Sequence, residues 1–114
     1  MLAGSAATLF PALCVGCDGA ILALAALAPD ACARLVTLVR EGHVDEARAL
    51  QSRLLPLARA IGGVHGVPGL KAALNLMGYA GGHPRPPLRP VAPPTIDALR
   101  VQLEGLGLLE HVLR

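Results

Sequence analysis

The chain has 114 residues and a formal net charge of +2, with 10 Lys plus Arg against 8 Asp plus Glu. A composition 54% hydrophobic but only 2% aromatic can bury the core of one small domain and is too apolar for a disordered segment. Scattered basic residues without aromatic stacking platforms leave nucleic acid little to grip, and no apolar tract reaches the roughly 18 residues of a membrane span.

The first 28 residues read as short alternating pieces. Met1 to Ala3 is an apolar run stopped by Gly4-Ser5, and Ala7 to Val15 fits a short helix. Gly-Cys-Asp-Gly then introduces a second apolar run, Gly19 to Leu24. Strand, helix, strand, helix is the rhythm of a parallel βα unit. Parallel strands are normally covered on both faces within a sheet of several strands, so two of them alone point to part of a larger sheet. Ile21 to Ala28 also has the look of a signal-peptide core, but the first basic residue is Arg34. Without a positive region ahead of it, that run predicts no export, and a cytoplasmic protein is expected.

Helical punctuation dominates after residue 28. Pro29 and Asp30 suit the first turn of a helix, and Ala31, Leu35, Leu38 and Val39 follow at helical spacing to a stop at Gly42. A second helix starts near His43 and lines up Val44, Ala47, Leu50, Leu54, Leu57 and Ile61. Pro56 should kink it, and Gly62-Gly63 should end it. A third opens after Gly66 with Val67, Leu70, Leu74 and Met77 as its apolar stripe and closes at Gly78. Residues 80–94 are rich in Gly and Pro and predict an extended connector. Ile96, Leu99, Leu103 and Leu106 give a last helix closed at Gly107.

Several motifs in this order resemble one family. Leu2-Ala3-Gly4-Ser5-Ala6 and Gly16-Cys17-Asp18-Gly19-Ala20-Ile21 look like the seventh and eighth strands of the dihydrodipicolinate synthase/N-acetylneuraminate lyase family. Ala47-Arg48-Ala49-Leu50-Gln51, Arg53-Leu54-Leu55-Pro56-Leu57, Pro68-Gly69-Leu70-Lys71, Gly78-Tyr79-Ala80-Gly81-Gly82, Arg85-Pro86-Pro87-Leu88 and Leu106-Gly107-Leu108-Leu109 follow its C-terminal pattern. The resemblance implies a mostly α chain. Residues 1–41 would be the last two βα units of a (β/α)8 TIM barrel, and residues 42–114 the family's C-terminal helical domain. A whole barrel needs roughly 250 residues.

Members of that family use a lysine to form a Schiff base with pyruvate or a related 2-keto acid, which needs no cofactor. The family pattern puts that lysine on the sixth strand, ahead of the stretch matched here, together with the catalytic tyrosine and the carboxylate-holding loop. No catalytic residue is therefore assigned in this chain. Lys71 is its only lysine and Tyr79 its only tyrosine, and both fall in the helical tail, where the plain reading is structural. Gly4 and Ser5 end the first strand, where Gly permits close approach to a ligand and Ser offers a donor. Ile21 resembles the strand-eight position whose backbone borders pyruvate in relatives, and these three are the substrate-binding candidates. The plain reading of the same residues is a strand end and a core isoleucine.

Departures narrow the substrate. Ser5-Ala6-Ala7 and Ala23 stand where sialate lyases carry acidic residues and a serine, which disfavours sialic acid. Gly4-Ser5-Ala6 and Gly78-Tyr79 look closer to the 4-hydroxy-2-oxoglutarate aldolase branch, although Ala26 replaces the common asparagine of strand eight. Cys14-Val15-Gly16-Cys17 is a lone CxxC beside a third cysteine, Cys32. It lacks the second paired spacing of a zinc site, and an odd cysteine count gives no disulfide framework. No metal is assigned. His43, His65, His83 and His111 are isolated.

Three readings of the whole stay open. The chain is a lyase piece inactive by itself, with Met1 standing where the family pattern has an apolar residue, so that it marks either a remnant gene or an internal start. It is a self-associating helical interaction module. Or it docks on a separately made front section of the barrel. A homo-oligomer is expected, with no nucleic-acid or membrane partner.

Overall fold

The computed structural model describes residues 1–109. Strand β1 (Leu2–Ala3) and strand β2 (Gly19–Ala20) pair in parallel, Leu2 opposite Gly19 and Ala3 opposite Ala20. Between them run a 3-10 turn, Ala6–Thr8, and helix α1 (Leu9–Cys14), which buries Leu9 and Leu13 one turn apart. The crossover joins two parallel strands, as the βα rhythm predicts. β2 is shorter than the predicted run from Gly19 to Leu24, because Ala23–Ala26 closes into a second 3-10 turn. Only Leu2 and Ala3 offer a pairing partner, and the alanine-rich continuation has little strand preference. The turn instead sends Leu24 and Leu27 into the core, each 1% exposed.

Helix α2 (Pro29–Arg40) starts on Pro29 with Asp30 in its first turn and Arg40 in its last, and buries Cys32, Leu35 and Leu38. It ends as predicted at Gly42, whose φ of 81° suits glycine. There Gly42 N–H donates to the Val39 carbonyl at 3.1 Å, and His43 N–H to the Leu38 carbonyl at 2.8 Å. This pair satisfies carbonyls that the helix itself cannot. The same bond pattern closes the last helix, α5 (Pro93–Gly105), at Gly107.

Helix α3 (Val44–Arg59) continues past Pro56. The predicted stop at Gly62-Gly63 is not where the chain breaks. Both glycines lie inside a wide π turn, Ala60–Val64, in which His65 N–H reaches back to the Ala60 carbonyl at 2.8 Å. The break comes at Gly66, with φ 61°. Ala60 and Ile61 face inward and Val64 outward, so the wide turn extends the apolar face of α3 by two more residues.

Helix α4 (Gly66–Leu76) buries Gly69 and Ala73, while Val67 is exposed and Leu70, Leu74 and Met77 are half-buried. Of the predicted stripe, Leu70, Leu74 and Met77 pack against the core and Val67 falls outside it. Small residues let α4 approach the π turn closely: a Cβ on Gly69 would press against the His65 side chain. No helix forms across 80–92, in keeping with the predicted connector.

Two clusters make the core. One gathers Leu24, Leu27 and Cys32 with Leu54, Leu57, Ile61, Ala73, Leu99 and Leu103. The other sits under the strand pair and joins Ala3, Leu9, Leu13, Leu35 and Leu38 to Ala47 of α3. Both draw on residues from either side of position 41. Each fully buried leucine contributes about 2 kcal/mol.

Candidate functional site

In a parallel strand successive side chains alternate between faces. Ala3 is buried and Ala20 packs with it against the helices, whereas Leu2 is 58% and Ile21 75% exposed. One face of the strand pair is thus covered by helices and the other is bare. On the bare face a Leu2 methyl lies over the space a side chain on Gly19 would fill.

The three binding candidates meet at one end of this pair. Gly4 and Ser5 follow β1 directly, Ile21 follows β2 directly, and Ile21 N–H donates to the Ala3 carbonyl at 3.0 Å. Gly4 and Ser5 are exposed. Ile21 is not the core isoleucine of the plain reading, since three-quarters of it faces solvent. Ser5 precedes the turn at Ala6–Thr8 in extended conformation, and its hydroxyl makes no capping bond there. A hydroxyl-bearing residue and an apolar one therefore follow the carboxyl ends of two adjacent parallel strands.

A residue that the apolar spacing did not mark holds this end in place. Gln51 of α3 is 8% exposed, a buried polar residue on an otherwise apolar helix face. Its Nε2 donates to the Ala6 carbonyl at 2.9 Å, and its Oε1 accepts from Phe10 N–H at 2.7 Å. Thr8 gives α1 no side-chain cap, so Gln51 satisfies an orphan donor of that helix from 41 residues away. Its place in Ala47-Arg48-Ala49-Leu50-Gln51 is the only signal of it in the sequence.

Lys71 and Tyr79 lie elsewhere. Lys71 Nζ donates to the Gly81 carbonyl at 3.0 Å, while Gly81 N–H donates to Asn75 Oδ1 at 2.8 Å. The lysine is thus a half-buried clamp on the connector rather than a plain surface residue. It lines a cleft of about 520 Å³ with Pro68, His83 and Ile96. Tyr79 is 62% exposed and borders a different cleft beside Leu27 and Pro29.

Cys14 is the last residue of α1 and Cys17 follows its glycine stop. The pair thus sits at a helix carboxyl end, the reverse of a redox CxxC at a helix amino end. Cys32 is buried, and desolvation pushes its thiol up from the ordinary value of 9.0. Among the described residues no three His, Cys, Asp or Glu side chains gather to hold a metal. His43 pairs loosely with Glu41 at 3.6 Å, and His111 lies outside the described residues.

The profile of the dihydrodipicolinate synthetase family matches residues 1–105. The chain is 38% identical to a 4-hydroxy-tetrahydrodipicolinate synthase of Methanopyrus kandleri over 96% of its own length and 36% of the relative's. It is 40% identical to an uncharacterized DapA-like lyase of Halobacterium salinarum, over 95% of its own length and 36% of the relative's. The solved dihydrodipicolinate synthase of Thermotoga maritima superposes with a TM-score of 0.89 at 33% identity, covering 95% of this chain and 37% of that one. What superposes is the carboxyl-terminal part of such structures. The chain thus spans about 36% of the length of the curated relatives it matches. Residues 1–105 place it in the dihydrodipicolinate synthetase family.

Proposed function

We propose that residues 1–41 are the last two βα units of a (β/α)8 barrel and residues 42–114 its helical tail. The lyase is of Schiff-base type and acts on pyruvate or a related 2-keto acid. In this reading Gly4, Ser5 and Ile21 form one wall of the keto-acid pocket. The supporting observation is the pair of adjacent strand ends below a bare sheet face, because barrel enzymes work at the carboxyl ends of their strands. Ser5 offers a hydroxyl to the substrate carboxylate or keto oxygen, and Ile21 an apolar floor beside it.

The reaction needs an amine that is desolvated and free to attack a carbonyl. Lys71 is committed to the Gly81 carbonyl in the tail, away from Ser5 and Ile21. The proposal therefore assigns the nucleophile to the sixth strand of the barrel and leaves residues 1–114 inactive by themselves. Between the dihydrodipicolinate synthase and the 4-hydroxy-2-oxoglutarate aldolase branches, the names of the relatives favour the first. Cytoplasmic placement belongs to the same proposal; among the described residues no helix is long and apolar enough to cross a membrane.

Borohydride trapping tests it. Residues 1–114 treated with pyruvate and borohydride are expected to keep their mass, and an adduct on Lys71 would overturn the inactivity. Mixed with the first six βα units of the Thermotoga maritima relative, they are expected to support trapping on that partner. A mixture as inert as its parts would remove the reading in which this chain docks on a separately made front section of the barrel. The exposed Leu2 and Ile21 favour one second reading, self-association through the bare face.

A further inference from the structure

A buried glutamine that crosses from the tail to the strand end has a function to be explained. Gln51 belongs to α3, yet both of its hydrogen bonds go to the segment that follows Gly4-Ser5. One grips the carbonyl at the start of the Ala6–Thr8 turn; the other grips an amide in the first turn of α1. Ala6 carbonyl also accepts from Leu9 N–H within the turn, so Gln51 Nε2 adds a second donor to an oxygen with two lone pairs. The turn is fastened at both ends by one side chain.

Besides the turn's own bond from Thr8 N–H to the Ser5 carbonyl at 3.3 Å and the packing of Ala6 and Ala7 on the core, no other side chain among the described residues hydrogen-bonds this segment. Ser5 and Thr8 make no side-chain caps, Gly4 and Ser5 are exposed, and Ala6 and Ala7 are half-buried methyls. An apolar residue at position 51 would fill the same space against the second core cluster and leave the Phe10 amide unpaired. Conformational freedom would then return to the segment carrying Ser5. Packing alone does not require a glutamine here.

We infer that Gln51 is a positioning residue through which the helical tail sets the geometry of the Gly4-Ser5 wall of the pocket. Its bearing on substrate rests on the proposed function above; the latch itself does not. The tail is then part of the substrate-facing apparatus and not only a support. A positioning role predicts a local effect, in which the strand end loosens while the core does not.

Amide hydrogen exchange of the full chain separates this from a plain structural role. Gln51→Met keeps the volume nearly constant and removes both bonds. It is expected to speed exchange at Phe10 about tenfold relative to core amides such as that of Leu57, and to move the backbone signals of Gly4 and Ser5. Leu57→Ala, a general destabiliser, is expected to speed exchange throughout without singling out Phe10. If Phe10 in Gln51→Met moves only in step with the core, the inference is overturned.

The unaltered chain gives an independent reading should Gln51→Met fail to fold. The side-chain amide protons of Gln51 are expected to exchange far more slowly than those of Gln102, which is only half-buried. Equal rates would overturn the latch. Neither readout depends on Schiff-base trapping, so the latch can fail while the lyase reading stands, and the reverse.

Discussion

At the scale of single residues, local chemistry and long-range contact divide the chain cleanly. Pro29, Gly42 and Gly107 act through their own backbone preferences and Asp30 through its charge in the first turn of α2, each where its type predicts. Gln51 acts through partners 41 and 45 positions away, which no periodicity reveals. Cys32 carries a prediction of its own. Burial raises its thiol pKa, so above the ordinary value of 9.0 the unfolded chain loses that proton while the folded chain still holds it. The unfolded state then binds fewer protons, and this contribution to stability is full below that pH and lost as pH rises through the folded value. Urea titrations should show the midpoint falling above about pH 9 in the native chain and falling less in Cys32→Ala. Labelling with iodoacetamide at neutral pH should reach exposed Cys14 first and buried Cys32 last.

At the scale of elements, helices were legible and their ends mostly so, because caps and stops are written locally. On α4 the predicted Leu70, Leu74 and Met77 do pack against the core, and the tertiary contact adds buried Ala73 and Gly69, whose Cβ would press on His65. The connector shows the same kind of control. Lys71 and Asn75 hold both polar atoms of the Gly81 backbone, and a Cβ at Gly81 would drive into the Lys71 carbonyl. Gly81→Ala should therefore cost about 2 kcal/mol through displacement of the connector from α4. Thermal melts check this, and Gly82→Ala is no substitute control because Gly82 has φ 73°. Gly105→Ala, with open space around it, should be near neutral. A Gly81→Ala chain as stable as the original would remove the clamp from the account of Lys71.

At the scale of the whole molecule, the bare face of the strand pair is an exposed apolar surface. Leu2 and Ile21 expose apolar area that a neighbouring strand or a second copy would cover. Sedimentation of residues 1–114 is expected to show concentration-dependent association that Ile21→Asp weakens, with helical content unchanged because Ile21 lies outside both core clusters. Equal association in the variant would place the contact elsewhere.

By itself the sequence determined the run of helices, most of their stops, the parallel character of the strand pair and the family. Each of these depends on near neighbours in the chain or on motifs kept in order. Only the tertiary structure decided that β2 stops at Ala20, that Ile21 faces solvent, that Lys71 is spent on Gly81, and that Gln51 fastens the strand end. Those outcomes depend on which distant groups arrive alongside, and a hydrogen bond or a buried face exists only once both sides are brought together.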